Sequence, residues 1–207
     1  VTADLILHGG RQARSKIAAL FWGNDSERRA QYSLRSALSF LRRALGPDIL
    51  LADREVIQLN PLVPLWVDVR AFEQMALQFA NHPDPNLLAC ESGLYRGDLL
   101  ADFYEDWIIP LRGHYQQMLI QLLLRGVELL RGEALHQQAL ECARRVLSVD
   151  CFNEAAVQQI MYCHYALGER NEALLAYLAC QHILQEELGV QPTDETLALY
   201  SWIKQQG

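Results

Sequence analysis

No apolar run in the 207-residue chain approaches the roughly 20 residues a bilayer-spanning helix needs, and the opening VTADLILHGG lacks the basic start of a secretory leader. Membrane insertion and export are not indicated, so a cytoplasmic location is the expectation. Cysteine is scarce. Cys90, Cys142, Cys151, Cys163 and Cys180 form an odd set without a CxxC pair, which argues against a disulfide framework and for reduced core residues. Cys163-His164 and Cys180-Gln181-His182 do not have the spacing of a closed zinc set, so neither a metal nor another cofactor is expected. The signatures GxSxG, HExxH, GxGxxG and the P-loop are missing, and the chain does not read as an enzyme. The carboxylates Asp98, Asp102, Glu105 and Asp106 are instead expected at a helix start, where they complement the macrodipole. Trp22, Trp66, Trp107 and Trp202 are expected as core or junction anchors, with Trp66 where two parts of the chain meet. The chain opens on Val within an apolar segment, and something is expected to precede it in a longer product.

What is present is a composition of 51% apolar and 21% charged residues, that of an ordinary globular protein able to bury a core. The net charge of −7 conceals an asymmetry. From Arg11 to Arg54 there are nine basic residues against four acidic ones, a local charge of +5; the remaining nine basic and 21 acidic residues carry −12. Only the first part has the sign to sit on phosphates.

Ile17, Leu20 and Phe21 fall on one side of a short helix over 14–22 that Gly23 ends, and Asn24-Asp25-Ser26 offers N-cap oxygens to the next. In that second helix Ala30, Leu34, Ala37, Leu38, Leu41 and Leu45 recur at three- and four-residue steps, and Gly46-Pro47 closes it. At 100° per residue its opposite face collects Arg28, Tyr32, Arg35, Ser36, Ser39 and Arg43, with Arg29 and Arg42 at the margins and no acidic residue between them. Such a face is either simply solvated or meets a polyanion; its place after a helix and a turn favours DNA. The β-prone runs 49–51 and 56–59 flank Ala52-Asp53-Arg54-Glu55 and predict a hairpin. Helix, turn, helix, hairpin is the order of a winged helix.

From Asp68 onward the pattern is helical. Val69, Phe72, Met75, Ala76 and Phe79 make one stripe, which His82-Pro83-Asp84-Pro85 breaks. The long apolar stretch 102–131 predicts a helix kinked or broken near Pro110 and Gly113. Ala139-Leu140 and Ala173-Leu174 lie 34 residues apart, each opening a helix, which points to tetratricopeptide-like repeats. The fold class is therefore mainly α: a winged helix-turn-helix over 1–62 and an all-helical repeat domain over 63–207.

The segments IAALFWG at 17–23, SLRSALSFLRRALG at 33–46, WVDVRAFE at 66–73, YRGDLLADFYEDW at 95–107 and ELGVQPTDET at 187–196 together resemble the bacterial transcriptional activator domain regulators, also called SARP-type. The resemblance implies an OmpR-type winged helix, without its N-terminal sheet here, ahead of a helical activator domain, and a role in transcription regulation. It places Arg35, Ser39, Arg42 and Arg43 where the family's recognition helix faces DNA. Arg28 on the same face and Arg54 as the one basic residue of the wing complete the expected DNA-binding set. Phe40 stands where the family usually has Arg, Tyr32 where it commonly has Asn, and the wing reads Glu55-Val56-Ile57-Gln58 in place of glycine-tyrosine-arginine.

The expected partners are double-stranded DNA, and, for the acidic repeats, RNA polymerase, another domain of the parent protein or a second protomer in a homodimer, with no membrane partner. The alternative is a protein interaction module whose winged helix no longer binds DNA.

Overall fold

A computed structural model describes residues 1–206, apart from the side chains of residues 89–93, so the expectation for Cys90 lies outside the described residues. The chain divides into two units, Val1–Arg70 and Ala71–Gly207.

The first unit runs α1 (Thr2–His8), β1 (Gln12–Ala13), α2 (Arg14–Trp22), α3 (Glu27–Leu45), a 3-10 turn (Pro47–Ile49), β2 (Leu50–Ala52) and β3 (Val56–Leu59). β3 lies between the other two strands, antiparallel to both, with Gln12 opposite Ile57 and Leu51 opposite Gln58. The apolar stripe of α3 supplies Ala30, Leu34 and Leu38 to a core shared with Leu5, Ile17, Ala18, Leu50 and Ile57. Trp22 packs against that core. Ser26 occupies the N-cap of α3, but its side chain makes no capping bond. Gly46 ends α3 at φ 106° and ψ 148°, not the left-handed helical geometry expected, in a region that side-chain-bearing residues avoid. Its N–H still closes the last turn on the Arg42 carbonyl at 3.1 Å.

The second unit is helical. The predicted stripe buries Phe72, Met75 and Phe79 in α4 (Asp68–Asn81), and α5 (Pro85–Leu94) follows the proline break. Of the kink or break expected near Pro110, the break is found: residues 102–108 are not helical, and α6 runs unbroken over Ile109–Gly132 with Pro110 in its first turn, where a missing N–H costs nothing. Asp102, Glu105 and Asp106 consequently lie in an irregular segment ahead of the helix rather than in its first turn. Asp98 accepts a bond from Gln116 at 2.8 Å. That segment is held from outside: the Arg112 guanidinium donates to the carbonyls of Leu99 (2.7 Å), Leu100 and Phe103 (2.7 Å), taking acceptors a helix would need.

The 34-residue period is visible in packing. α7 (His136–Val149), α8 (Glu154–Ala166) and α9 (Arg170–Leu188) follow α6, and α7 and α9 begin 34 residues apart. Leu123 and Val157, Val127 and Met161, Leu130 and His164, Ala139 and Ala173, Ala143 and Tyr177, and Val146 and Cys180 are each 34 apart, and both members of every pair are buried. The turns match too. Leu135 N–H bonds the Leu130 carbonyl and Glu169 N–H the His164 carbonyl, both at 2.8 Å, the six-to-one bond of a Schellman turn. Each turn has one left-handed residue, Gly168 at φ 79° and Ala134 at φ 59°. α10 (Asp194–Gln205) packs on α8 and α9, and the Glu154 carboxylate fastens it by accepting from Thr193 N–H and Oγ1 and from Thr196 Oγ1 at 2.6–2.8 Å. Burial raises the Glu154 pKa, but these bonds outweigh it and hold the carboxyl below its ordinary value.

Two expectations are corrected. Cys163 and Cys180 are buried thiols whose pKa burial pushes up, that of Cys180 to about 11, whereas Cys151 is exposed in the turn before α8. Trp66 is 73% exposed and anchors no core, and Trp202, edge-on to Tyr165 with ring centroids 4.8 Å apart, is exposed as well. Among the described residues no helix is long and apolar enough to cross a membrane.

The Ala134 and Gly168 turns yield a paired prediction. A left-handed L-residue costs about 1–2 kcal/mol, partly offset by the extra freedom glycine has when unfolded. Ala134→Gly is expected to stabilise the repeats by about 0.5–1 kcal/mol and Gly168→Ala to destabilise them by about as much, as read by urea denaturation. For Glu154, a lowered folded pKa adds stability above the unfolded value that is lost as pH falls through the folded one. Glu154→Gln is expected to be about 1 kcal/mol less stable at pH 7, and the two proteins to converge once the pH drops below the folded-state value of Glu154, itself below 4.5.

Candidate nucleic-acid interface

The site begins with the periodicity of α3. Burying Ala30, Leu34 and Leu38 turns Arg28, Tyr32, Arg35, Ser36, Ser39 and Arg43 to the opposite side, and all six are exposed. Arg42, at the margin, is half-buried and donates to the Leu50 carbonyl of β2 at 3.4 Å. Among the described residues no carboxylate forms an ion pair with any of the α3 arginines.

Four of the six residues expected to contact DNA come together. Arg35, Ser39, Arg42 and Arg43 line an open hollow of about 520 Å³ between the C-terminal half of α3 and the hairpin, with Arg14 and Ala52 on its far side and no acidic residue in its wall. Arg28 lies apart, two turns back along α3, where it borders a second hollow of about 550 Å³ with Arg29, Tyr32 and Asp25. Arg54 is exposed on the turn joining β2 and β3, the tip of the wing.

Arg14 was not among the expected site residues. It belongs to the basic stretch, but its position depends on the two-residue strand β1, which is too short to leave a periodic signal. β1 pairs Ala13 with Val56, and the chain then continues into α2 with Arg14 N–H on the Glu55 carbonyl at 2.8 Å and its guanidinium reaching the Asp53 carbonyl at 3.4 Å. The wing turn is built by Asp53, whose Oδ1 accepts from the N–H groups of Glu55 (2.8 Å) and Val56 (2.7 Å). Those two amides, helped by nearby Arg11 and Arg14, hold the Asp53 carboxyl below its ordinary pKa. The carboxylate of Asp53, next in the chain to Ala52 of the hollow, is thus engaged in its own turn.

A helix-turn-helix with a hairpin wing, an arginine face on its second helix and a following stack of tetratricopeptide-like helix pairs define a bacterial winged-helix regulator of the SARP type. Residues 67–204 match the bacterial transcriptional activator domain, and the chain belongs to that family, one of transcription regulators. It is 25% identical over 209 residues to the regulatory protein AfsR of Streptomyces griseus, covering 96% of this chain and 21% of that protein. To the transcriptional regulatory protein MoaR1 of Mycobacterium bovis it is 25% identical over 210 residues, covering 94% and 67%. The chain therefore spans about a fifth of the length of AfsR and two thirds of MoaR1. Its fold is similar to that of Mycobacterium tuberculosis EmbR, solved in complex with a low affinity phosphopeptide, with a TM-score of 0.70 at 17% identity over 99% of this chain and 59% of that one.

If the Asp53 carboxylate organises the wing, Asp53→Ala leaves two amides without their acceptor. Hydrogen exchange at Glu55 and Val56 is expected to quicken about tenfold at pH 7, with α3 amides unchanged. Unchanged exchange at both positions would remove this role from Asp53.

Proposed function

We propose that the chain regulates transcription by binding duplex DNA, with residues 1–62 as the DNA-binding domain and residues 63–207 as the protein-contacting domain. The observation that carries this reading is the acid-free arginine face of α3 beside the hairpin. A helix of this kind enters the major groove, where arginines take phosphates or the paired acceptors of guanine and a serine makes a short polar contact. In this reading Arg35, Ser39 and Arg43 face the groove, Arg14 and Arg42 hold the flanking backbone, and Arg28 and Arg54 extend the contact at either end. Each bidentate base contact adds about 1–3 kcal/mol of discrimination. The hairpin brings a single arginine and acts on the backbone rather than deep in the minor groove.

Residues 63–207 hold nine basic and 19 acidic residues, a net charge of −10, so they repel DNA and remain free to contact RNA polymerase, another domain of the parent protein or a second protomer. No catalytic step is assigned to the chain. The rival reading, a protein interaction module with a winged helix that has lost DNA, draws on the exposed rings of Tyr32 and Phe40.

The two readings separate on salt. Fluorescence anisotropy of the full chain with a labelled mixed-sequence duplex is expected to show affinity falling steeply with salt, and Arg35→Ala and Arg43→Ala each to flatten the log–log slope by about one. A double variant with unchanged affinity and slope removes α3 from the DNA and leaves the interaction module standing.

A further inference from the structure

Two aromatic side chains stand on the arginine side of α3 with most of their surface in solvent: Tyr32 is 68% and Phe40 63% exposed. Neither ring has an aromatic or cationic partner among the described residues. Tyr32 sits opposite the buried stripe, at the centre of the face, and Phe40 lies two turns further on and 80° round, at its margin. Arg28, Arg29 and Arg35 flank Tyr32, whose hollow also holds Asp25, and Arg43 lies one turn from Phe40, so a surface that covers these rings must carry negative charge and still offer something apolar. The major groove of DNA fits both demands, because phosphates line its edges and thymine presents a C5-methyl group on its floor.

We infer that Tyr32 and Phe40 read thymine methyl groups, making this helix a reader of thymine-containing sites and not of guanine alone. The inference rests on the proposed DNA binding by α3 and adds the base class. Eight residues of helix separate the two rings by about 12 Å along the axis. With base pairs about 3.4 Å apart and the helix inclined to the duplex axis, the two methyl contacts fall no more than about four steps from one another. Arginines on the same face supply affinity and guanine contacts, and the rings discriminate against cytosine, which lacks the methyl group and presents an amino donor in its place.

Uracil replacement tests this directly, since it deletes the methyl group and leaves every hydrogen-bonding group of the base. Duplexes enriched from a randomised pool on the full chain are rebuilt with deoxyuridine at one thymine at a time. Two positions, no more than about four steps apart, are expected to lose about three- to tenfold in affinity. Tyr32→Ala is expected to abolish the loss at one and Phe40→Ala at the other; both residues are exposed, so the fold is not at stake. Enrichment with thymine and uracil duplexes bound alike at every position overturns the inference while DNA binding stands, and gives the rings to a protein partner. Failure to enrich any duplex overturns DNA binding itself, and this inference with it.

Discussion

The site depends on one constraint, that a single helix must satisfy a core and a surface at once. α3 has 19 residues, and the three- and four-residue steps of Ala30, Leu34 and Leu38 leave it one way to lie against Ile17, Leu50 and Ile57. Once that side is buried, the azimuth of each arginine is fixed. The charged face is therefore a by-product of apolar packing, and a core substitution that rolls α3 moves every basic group together.

Much of this was legible because it is periodic. The stripe and arginine face of α3, the hairpin, the α4 stripe and the 34-residue repeat are patterns with many members, and the structure repeats them in burial. What the sequence did not disclose is what depends on one residue or on a partner distant in the chain. β1 is two residues long, and its only consequence for the site is to carry Arg14 to the hollow from 21 residues before Arg35. The segment before α6 mixes four carboxylates with apolar residues and holds no helix breaker after Gly97, yet Arg112 claims three of its carbonyls from a position beyond it. Cys151 and Trp66 were assigned by residue type, and type alone does not place a side chain in a turn.

The repeat unit shows how far a shared backbone tolerates different chemistry. Leu130 and His164 occupy equivalent buried positions, but the histidine is accepted because Nδ1 meets the Glu169 carboxylate at 2.6 Å and Nε2 faces Arg144 at 3.4 Å. Likewise the same six-to-one bond closes both turns although one holds glycine and the other alanine. At the turns it is the backbone hydrogen bond, rather than residue identity, that the two copies have in common.

Arg42 differs from its neighbours in being half-buried with one nitrogen on the Leu50 carbonyl. A long side chain that is free in solvent surrenders about 2 kcal/mol of rotamer entropy when a ligand immobilises it. Arg42 has given up part of that freedom on folding. In the proposed DNA binding it would meet a phosphate already partly ordered, and so would lose less rotamer entropy than the exposed Arg43 along the same helix.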